Sequence, residues 1–592
     1  MWRQRNLHVY GLIVAVGIML VIFLLWPIVL TVKGGFADTD GQFTLTYIRS
    51  VFRDPLMLKG LGNSLLIATC TTTLCFLIAL PLAVIAARCE FPGKAILSSL
   101  ILVPLVLPPF VGAIGLRALL GRFGAFNALL AKVGLLDPLQ PGFDFLGNEM
   151  AGGRFGAVVI AEALHLYPIL YLNLIAALAN LDPTLEEAAL NLGAGRWRRL
   201  TRITLPLILP GVFAGATIVF IWSLTELGTP LMFDFYTVTP VQIFFGIQEV
   251  QSNPRPYALV VVMLLLAVGL YFLGRFAFGG RAYAMQSKAS ISAGTIRLTG
   301  WTAVVATGIF AAVTLLATLP HVGVVLSSLS VNGAWYRSVL PTEWTLSHYD
   351  GALTHDLAMG SIRNSLIYAG TAMLLCMVLG LAVSYLTVRI KVKGGWILDS
   401  LCMLPLAVPG LVMAFGYVAM SLSWPFPQLA AIFREHGMEK LASLCQVTGS
   451  EPDPLLFLVV AYAIRRLPYV VRSASAGLEQ TSSQLEEAAV NLGASRFKTI
   501  RRIVLPLIAA NLIAGGILAF SLAMLEVSDS LILAQKANAF PITKAIYALF
   551  NRLGDGPYIA SAMGVWAMAL LCLTLVGASL LMGKRLGAMF RV

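Results

Sequence analysis

The sequence predicts an all-α polytopic membrane protein with about 12 transmembrane helices, arranged as two tandem six-helix repeats. Of the 592 residues, 58% are hydrophobic and only 12% are charged, which leaves too little charged surface for a soluble core of this size. The mean hydropathy is +0.85. Apolar stretches of about 20 residues, each long enough to cross about 30 Å of hydrocarbon, recur along the chain. Polar and proline positions of the first half return in the second at an offset of about 300 residues.

Six spans are predicted in each half. In the first half they lie near residues 9–32, 61–87, 95–120, 155–180, 204–227 and 256–278. In the second half they lie near residues 299–329, 362–388, 396–423, 454–478, 504–527 and 558–583. The run 9–32 lacks a small-residue cleavage site and is therefore interpreted as a retained first helix. The segment 279–298 is predicted to be a cytoplasmic linker.

The short loops between spans are basic, and this predicts their orientation. Lys and Arg residues favour the cytoplasmic side, so the short loops, the linker and both chain termini are placed in the cytoplasm. The long loops, which carry most of the acidic residues, are placed outside. The net charge of +13 is then loop charge and does not indicate nucleic-acid binding.

Matched positions indicate that the two halves are repeats. The matches are Asn63-Ser64-Leu65 with Asn364-Ser365-Leu366, Pro104-Leu105 and Pro108 with Pro405-Leu406 and Pro409, Pro168 with Pro468, Glu226 with Glu526, and Pro256-Tyr257 with Pro557-Tyr558. Each unit has an even number of spans, so both copies insert the same way up. We expect a pseudo-twofold axis along the membrane normal, with a path between the repeats.

The most informative repeat is a polar island between apolar runs. The first island runs from Glu186 to Pro206 and the second from Glu486 to Pro506. Asp182-Pro183 is a typical helix start, and Ser483 with Glu486 is interpreted as a capping box.

Each island is predicted to hold a helix of two to three turns at the cytoplasmic surface. Gly193 and Gly493 are placed where a left-handed residue would end that helix.

The spacing of the islands resembles the signature of permease subunits of ABC importers: EAA, three residues, Gly, nine residues, then Ile-x-Leu-Pro. The chain satisfies this spacing twice, so it is identified as a fused member of the type I (MetI-like) permease family, most similar to ferric iron permeases. The resemblance implies permease domains at 57–278 and 358–585, preceded by the helices 9–32 and 299–329. It also implies that the island helices are coupling helices that dock in a groove of an ATPase. The implied ATPase contacts are Glu187, Ala188, Ala189, Gly193, Glu487, Ala488, Ala489 and Gly493.

No GxxxxGK[ST] phosphate loop occurs in the sequence. We therefore expect that the chain is not an enzyme and carries no cofactor, and that ATP and Mg²⁺ bind a partner, a cytoplasmic ABC ATPase homodimer. The resemblance further implies a periplasmic or extracytoplasmic substrate-binding protein and a location in the bacterial inner membrane.

Charged residues inside spans are costly and are candidates for lining the translocation path. Glu162 and His165 lie one turn apart in the fourth span, and the matching segment carries Tyr462, Arg465 and Arg466. The alternative is that Glu162 and His165 satisfy each other, while the arginines pair with a carboxylate elsewhere in the bundle.

Glu226 and Glu526 are a second candidate pair, near the outer ends of the fifth spans. They could attract a cation or close an outer gate, or be helix-end residues in contact with water. The proline-rich stretches 102–109 and 403–409 are interpreted as gating bends or static kinks.

The sequence leaves the solute open. Iron(III) is favoured by the resemblance, and 2-aminoethylphosphonate or thiamine permeases share the tandem arrangement. A twelve-helix secondary transporter is the rival class, but it would not explain the islands. The seven cysteines form no CxxC pair and the six histidines are dispersed, which argues against a metal site or a membrane enzyme.

Overall fold

The computed structural model describes residues 2–38, 40–106, 108–137, 140–147, 154–279, 295–449 and 451–582, and most of them are helical. Residues 280–294 of the predicted linker and the basic tail from residue 583 lie outside the described residues. The helices of the first half are α1 Trp2–Leu20, α2 Trp26–Gly35, α3 Thr46–Arg53, α4 Pro55–Arg88, α5 Lys94–Leu100, α6 Pro109–Leu120, α7 Ala125–Lys132, α8 Phe155–Ala179, α9 Pro183–Asn191, α10 Arg196–Arg199, α11 Leu205–Leu224, α12 Gly228–Met232, α13 Thr239–Gly246 and α14 Arg255–Gly279. Short π-helical turns join α1 to α2 (Val21–Leu25) and α10 to α11 (Leu200–Thr204), and 3₁₀ turns follow α5 (Val103–Val106) and α13 (Ile247–Glu249).

The second half repeats this order. Its helices are α15 Gly300–Leu329, α16 Ser347–Thr354, α17 Asp356–Ser384, α18 Gly395–Ala407, α19 Gly410–Ser421, α20 Phe426–Glu435, α21 Glu439–Leu444, α22 Leu455–Gln480, α23 Gln484–Asn491, α24 Arg496–Thr499, α25 Leu505–Met524, α26 Ser528–Leu533, α27 Ile542–Phe550 and α28 Gly556–Met582. π-Helical turns follow α17 (Tyr385–Arg389) and α24 (Ile500–Val504), and a 3₁₀ turn precedes α27 (Ala537–Ala539). Two two-residue strands, β1 Cys89–Glu90 and β2 Ile296–Arg297, pair in parallel.

Ten helices among the described residues are long and apolar enough to cross a membrane, or eleven if the bent pair α18–α19 is one span. About 12 were predicted. The remaining predicted span is α22, a 26-residue helix whose three arginines, Arg465, Arg466 and Arg472, make it less apolar than the others. The all-α fold with two repeats is confirmed.

The predicted third span of each half is broken at prolines. In the second half α18 and α19 meet at an angle of 104°, with Pro409 directly before α19. In the first half α5, a 3₁₀ turn and α6 replace one continuous helix. Proline has no amide hydrogen and its ring clashes with the preceding turn, so a helix cannot continue through it unchanged.

The chain forms two compact units, and each contains residues from both sequence halves. The unit of the first repeat comprises Leu58–Val241 and Leu265–Leu346, and therefore includes α15. The unit of the second repeat comprises Met1–Met57, Gln242–Leu264 and Ser347–Met589, and therefore includes α1 and α2. The predicted domain boundaries placed each first helix with its own sequence half; as permease domain limits they stay a prediction.

In the unit of the first repeat, α15 is held by close backbone packing. A Cβ on Gly323 would lie 2.6 Å from the Cα of Gly115, so the two glycines allow α6 and α15 to touch. Next to β2, the Leu298 amide donates to the carbonyl of Glu90 (2.9 Å).

The unit of the second repeat uses a matched contact. A Cβ on Gly416 would lie 2.8 Å from the Cβ of Pro27, and the Tyr417 hydroxyl donates to the carbonyl of Phe23 (2.7 Å). Small residues allow such close helix packing in membranes.

The repeated Asn-Ser pair has the same structural role in each unit. Asn63 donates to the carbonyl of Thr237 (2.7 Å), and Asn364 donates to that of Asn538 (2.8 Å). The hydroxyl of the serine that follows each asparagine accepts a hydrogen bond from the backbone near the start of α13 or α27. The constant offset therefore reflects matched tertiary contacts.

Candidate functional site

The helix of the first island starts as predicted. The Asp182 carboxylate accepts hydrogen bonds from the backbone amide (2.9 Å) and hydroxyl (2.8 Å) of Thr184. These bonds favour the charged form and lower the pKa of Asp182. Pro183 occupies the first helical position, where no amide donor is needed.

The helix of the second island starts differently, and the predicted capping box is wrong. Ser483 has a helical backbone and its side chain makes no capping hydrogen bond. Ser482 instead accepts from the amide of Gln484 (3.3 Å). The physical reason is that the Glu486 carboxylate is engaged elsewhere, in an ion pair with Arg389 at 2.8 Å.

Both island helices end at a left-handed glycine, as predicted. The φ angles are +77° at Gly193 and +86° at Gly493. The amide of the following alanine donates to the carbonyl five residues earlier, at 2.9 Å for Ala194 and 3.0 Å for Ala494. This is the Schellman pattern that satisfies the last carbonyls of a helix.

The two consecutive glutamates of each island face different ways. Glu186 is half-buried and lies 2.7 Å from Arg88, and Glu486 is held by its arginine as described above. Glu187 and Glu487 are exposed. Neighbouring residues of a helix lie about 100° apart around its axis, so one carboxylate faces the protein and the next faces away.

The predicted ATPase contacts are mostly accessible. The exposed ones are Glu187, Ala188, Gly193, Glu487, Ala488 and Gly493. Ala489 is half-buried and Ala189 is only 8% exposed, so these two alanines face the protein. Their assignment as ATPase contacts stays a prediction.

Large apolar side chains on the islands were missed by sequence reasoning. Leu192 and Leu492 are each 89% exposed, and Trp197 and Phe497 are each 75% exposed. Exposed apolar groups in matched positions make these residues candidates for an interaction surface. Comparison of the two islands residue by residue would have revealed them.

Glu162 is a buried carboxylate in α8, 1% exposed. Its Oε2 accepts hydrogen bonds from the hydroxyls of Thr71 (3.5 Å) and Ser223. The Nδ1 atom of His165 lies 2.8 Å from the carbonyl oxygen of Pro104. These contacts tie the two side chains to different neighbours.

His165 lines a small cavity of about 20 Å³, which is room for about one water molecule. The cavity lies at the proline break of the third span. Its lining residues are Pro104, Pro108, Pro109, Gly112, Leu116, Ala161, Leu164, His165, Ala317, Pro320 and His321.

Glu226 and Glu526 have different surroundings despite their matched positions. Glu226 accepts from the amide (3.2 Å) and hydroxyl (3.3 Å) of Thr229 at the start of α12, which is the arrangement of a helix-end residue. Glu526 is 4% exposed and lies 2.5 Å from Arg465. Arg466 also contacts this carboxylate.

Arg465 and Arg466 therefore pair with a carboxylate elsewhere in the bundle, as the alternative stated. Arg465 also lies 3.4 Å from Asp529, so two guanidinium groups face two carboxylates. The guanidinium of Arg465 occupies the space that a Cβ on Gly410 would need, which places this cluster against the bend between α18 and α19. Tyr462 shares a 2.6 Å hydrogen bond with Ser530 beside it.

Comparison with known families decides the class of protein. Residues 79–280 and 356–586 both match the family described as the binding-protein-dependent transport system inner membrane component. The chain belongs to this family. It is therefore a multi-pass inner membrane protein and the permease component of an ABC importer.

Curated relatives of this permease include two ferric transport proteins. The ferric transport system permease protein FbpB of Actinobacillus pleuropneumoniae is 28% identical over 95% of this chain and 76% of its own length. A putative ferric transport system permease protein of Haemophilus influenzae is 27% identical over 89% of this chain and 78% of its own length. The molybdenum transport system permease protein ModB of Escherichia coli is 37% identical, over 29% of this chain and 71% of its own length.

Proposed function

We propose that this permease carries iron(III) into the cell. The support is similarity to proteins named as ferric permeases over 95% and 89% of the chain. Arg465 and Arg466 offer no free positive charge to an anion, because Glu526 and Asp529 face them. Among the described residues no group of three or more His, Cys, Asp or Glu side chains could hold a metal ion, so we propose that selection of the metal occurs on the binding protein.

Molybdenum is the second candidate. One molybdenum permease is 37% identical to this chain, a higher identity than that of the ferric relatives, although it covers only 29% of the chain. Uptake of radiolabelled iron(III) and of molybdate by cells with and without the gene separates the two. Gene-dependent uptake of molybdate but not of iron(III) would overturn the iron proposal.

We further propose that both islands dock on a cytoplasmic ABC ATPase homodimer, which binds ATP and Mg²⁺, while this chain holds no cofactor. The observation that supports this docking is that the two islands present the same kind of exposed surface. Each exposes a glutamate, an alanine, a leucine and an aromatic residue at matched positions. Two equal surfaces suit two equal ATPase subunits. The short basic loops support a cytoplasmic position for the islands and both termini. The family description implies a periplasmic or extracytoplasmic binding protein on the other side.

Charge reversal tests the docking surface. Glu187→Lys together with Glu487→Lys places cations on the exposed face, so we expect loss of ATPase association and of ATP-driven uptake. Glu435→Lys with Glu439→Lys, exposed residues of α20 and α21 on the predicted outer side, is the matched control and should leave ATPase association unchanged. Intact association in the Glu187→Lys/Glu487→Lys variant would refute the coupling assignment.

The translocation path is proposed to include Glu162, His165, Glu226, Tyr462, Arg465, Arg466 and Glu526. Their support is that ionisable groups within spans are rare and face cavities or one another. Arg465→Ala should reduce uptake without weakening ATPase association. Unchanged uptake would remove Arg465 from the path.

A further inference from the structure

The first glutamate of each island helix is bound to an arginine at the end of the second span of the same half. In the first half Arg88 is the last residue of α4. One oxygen of Glu186 lies 2.7 Å from Arg88 Nη2 and accepts a 2.6 Å hydrogen bond from the hydroxyl of Thr204. Thr204 lies directly before α11, so a single carboxylate oxygen joins the island helix to two spans.

The second half repeats the ion pair with different supporting contacts. Arg389 ends the π-helical turn that follows α17, and its Nε lies 2.8 Å from Glu486. The hydroxyl of Tyr385 donates to the other oxygen of Glu486 (3.4 Å). Arg389 also donates to the carbonyl of Thr481 (2.8 Å) just beyond α22. The Glu486 carboxylate therefore connects the island helix to the end of the second span, and Arg389 extends the contact to the end of α22.

These two pairs are shielded from solvent. The side chains of Arg88 and Glu186 are 19% and 18% exposed, and those of Arg389 and Glu486 are 13% and 14% exposed. Attraction between charges is stronger where water is partly excluded. No residue of α23, all of which the structure describes, is buried, and the ion pair of Glu486 with Arg389 is one of the attachments of this helix to the spans.

We propose that Glu186–Arg88 and Glu486–Arg389 are paired struts that pass the displacement of the island helices to the second spans. The inference rests on the proposed docking of the ATPase. Each glutamate is a positioning residue: it faces the protein, while Glu187 or Glu487 beside it faces the ATPase. A helix is a rigid element, so moving its ion-paired end moves the whole span.

Neutral isosteres test the struts. Glu186→Gln with Glu486→Gln keeps the side-chain shape but removes both ion pairs. Because Glu187 and Glu487 on the exposed face are unchanged, ATPase association should be retained. Hydrogen–deuterium exchange of the chain–ATPase complex, with and without ATP, measures whether a change in the island helices reaches the second spans. This measurement does not require a known solute. In the wild type, ATP should change exchange both in the island helices and in the last turns of the second spans. In the variant we expect the change in the spans to fall about fivefold, the effect of losing a partly buried ion pair of about 1 kcal/mol.

Two controls separate transmission from folding. Glu90→Gln removes the exposed pair of Lys94 and Glu90 (2.7 Å, Glu90 50% exposed) and should leave the wild-type response. Exchanging the charges, Arg88→Glu with Glu186→Arg, should restore a response that either single reversal abolishes, which a misfolded chain could not do. An unchanged ATP response in the second spans of the Glu186→Gln/Glu486→Gln variant would overturn the strut proposal and leave the docking proposal standing. A wild-type complex in which ATP changes exchange in neither island would overturn both the struts and the proposed docking.

Discussion

The glycines that end the island helices show how one backbone angle shapes a docking surface. Gly193 and Gly493 have left-handed φ angles, and no described atom lies within 4 Å of where their Cβ would be. Gly193→Ala with Gly493→Ala therefore adds no clash and imposes only the backbone cost, about 1 kcal/mol at each site. We expect the leucine and aromatic residue around each glycine to shift and ATPase affinity to fall, measured by titration of the purified complex.

Gly195→Ala is the matched control for this prediction. A Cβ on Gly195 also meets open space, and its φ is not left-handed. We expect wild-type affinity. Equal loss in the Gly195→Ala and Gly193→Ala/Gly493→Ala variants would refute the role of the backbone angle.

The carboxylate of Glu526 holds two arginines inside the protein. Glu526→Gln would leave Arg465 and Arg466 with Asp529 as the remaining nearby acid, and a buried charge that loses its partner costs about 3 kcal/mol. We expect a clearly lower melting temperature for the detergent-solubilised chain, measured by thermal denaturation. Asp399→Asn, which loosens a 3.6 Å pair with Arg472 whose side chain is 60% exposed, should change the melting temperature little; equal effects of the two variants would contradict the prediction.

At the scale of elements, helices α6 and α15 touch through their backbones. A Cβ on Gly115 would overlap the carbonyl of Pro320, so Gly115→Ala must push the helices apart. Overpacking of this kind costs about 1–3 kcal/mol. We expect reduced thermal stability and a reduced yield of folded chain on size exclusion.

Gly308→Ala in the same helix α15 is the control. A Cβ there meets no described atom within 4 Å, and alanine favours a helix by up to about 1 kcal/mol over glycine. Its stability should be unchanged or slightly higher. A Gly115→Ala variant as stable as the Gly308→Ala variant would show that the close approach is unimportant.

At the scale of the whole molecule, neither sequence half contains a complete unit. Residues 1–290 lack α15, which belongs to the unit of the first repeat, and residues 291–592 lack α1 and α2, which belong to the unit of the second. We expect either fragment alone to give little folded protein, and the two expressed together to purify as one complex. Co-purification and size exclusion measure this.

A shorter second fragment provides the control. Residues 347–592 omit α15 and should not rescue residues 1–290, because Gly115 then has no backbone partner. Rescue by this fragment would contradict the assignment of α15 to the unit of the first repeat. So would a stable, monodisperse fragment 1–290 expressed alone.

The class of this protein and the glycine ends of both island helices could be predicted from the amino-acid sequence. The length of the apolar stretches predicted the spans, because a helix of about 20 residues crosses the membrane with its backbone hydrogen bonds satisfied internally. The Asp182 cap of the first island and the glycines of both islands predicted correct helix limits, since these signals act within a few residues of the chain. The Asp182 start and both glycine ends follow from that local chemistry.

Which distant groups meet depends on how the helices pack in three dimensions. Local pattern favoured a capping box for Glu486, yet an arginine about 100 residues away in sequence binds that carboxylate. Glu226 and Glu526 occupy matched positions but have different partners. Arginines lie on the facing helix α22 of the second half, whereas the matching helix α8 contains none. The placement of α15 and α2 depended on glycine contacts between helices far apart in the chain. Such choices arise from packing in three dimensions, and neither hydropathy nor the spacing of motifs encodes them.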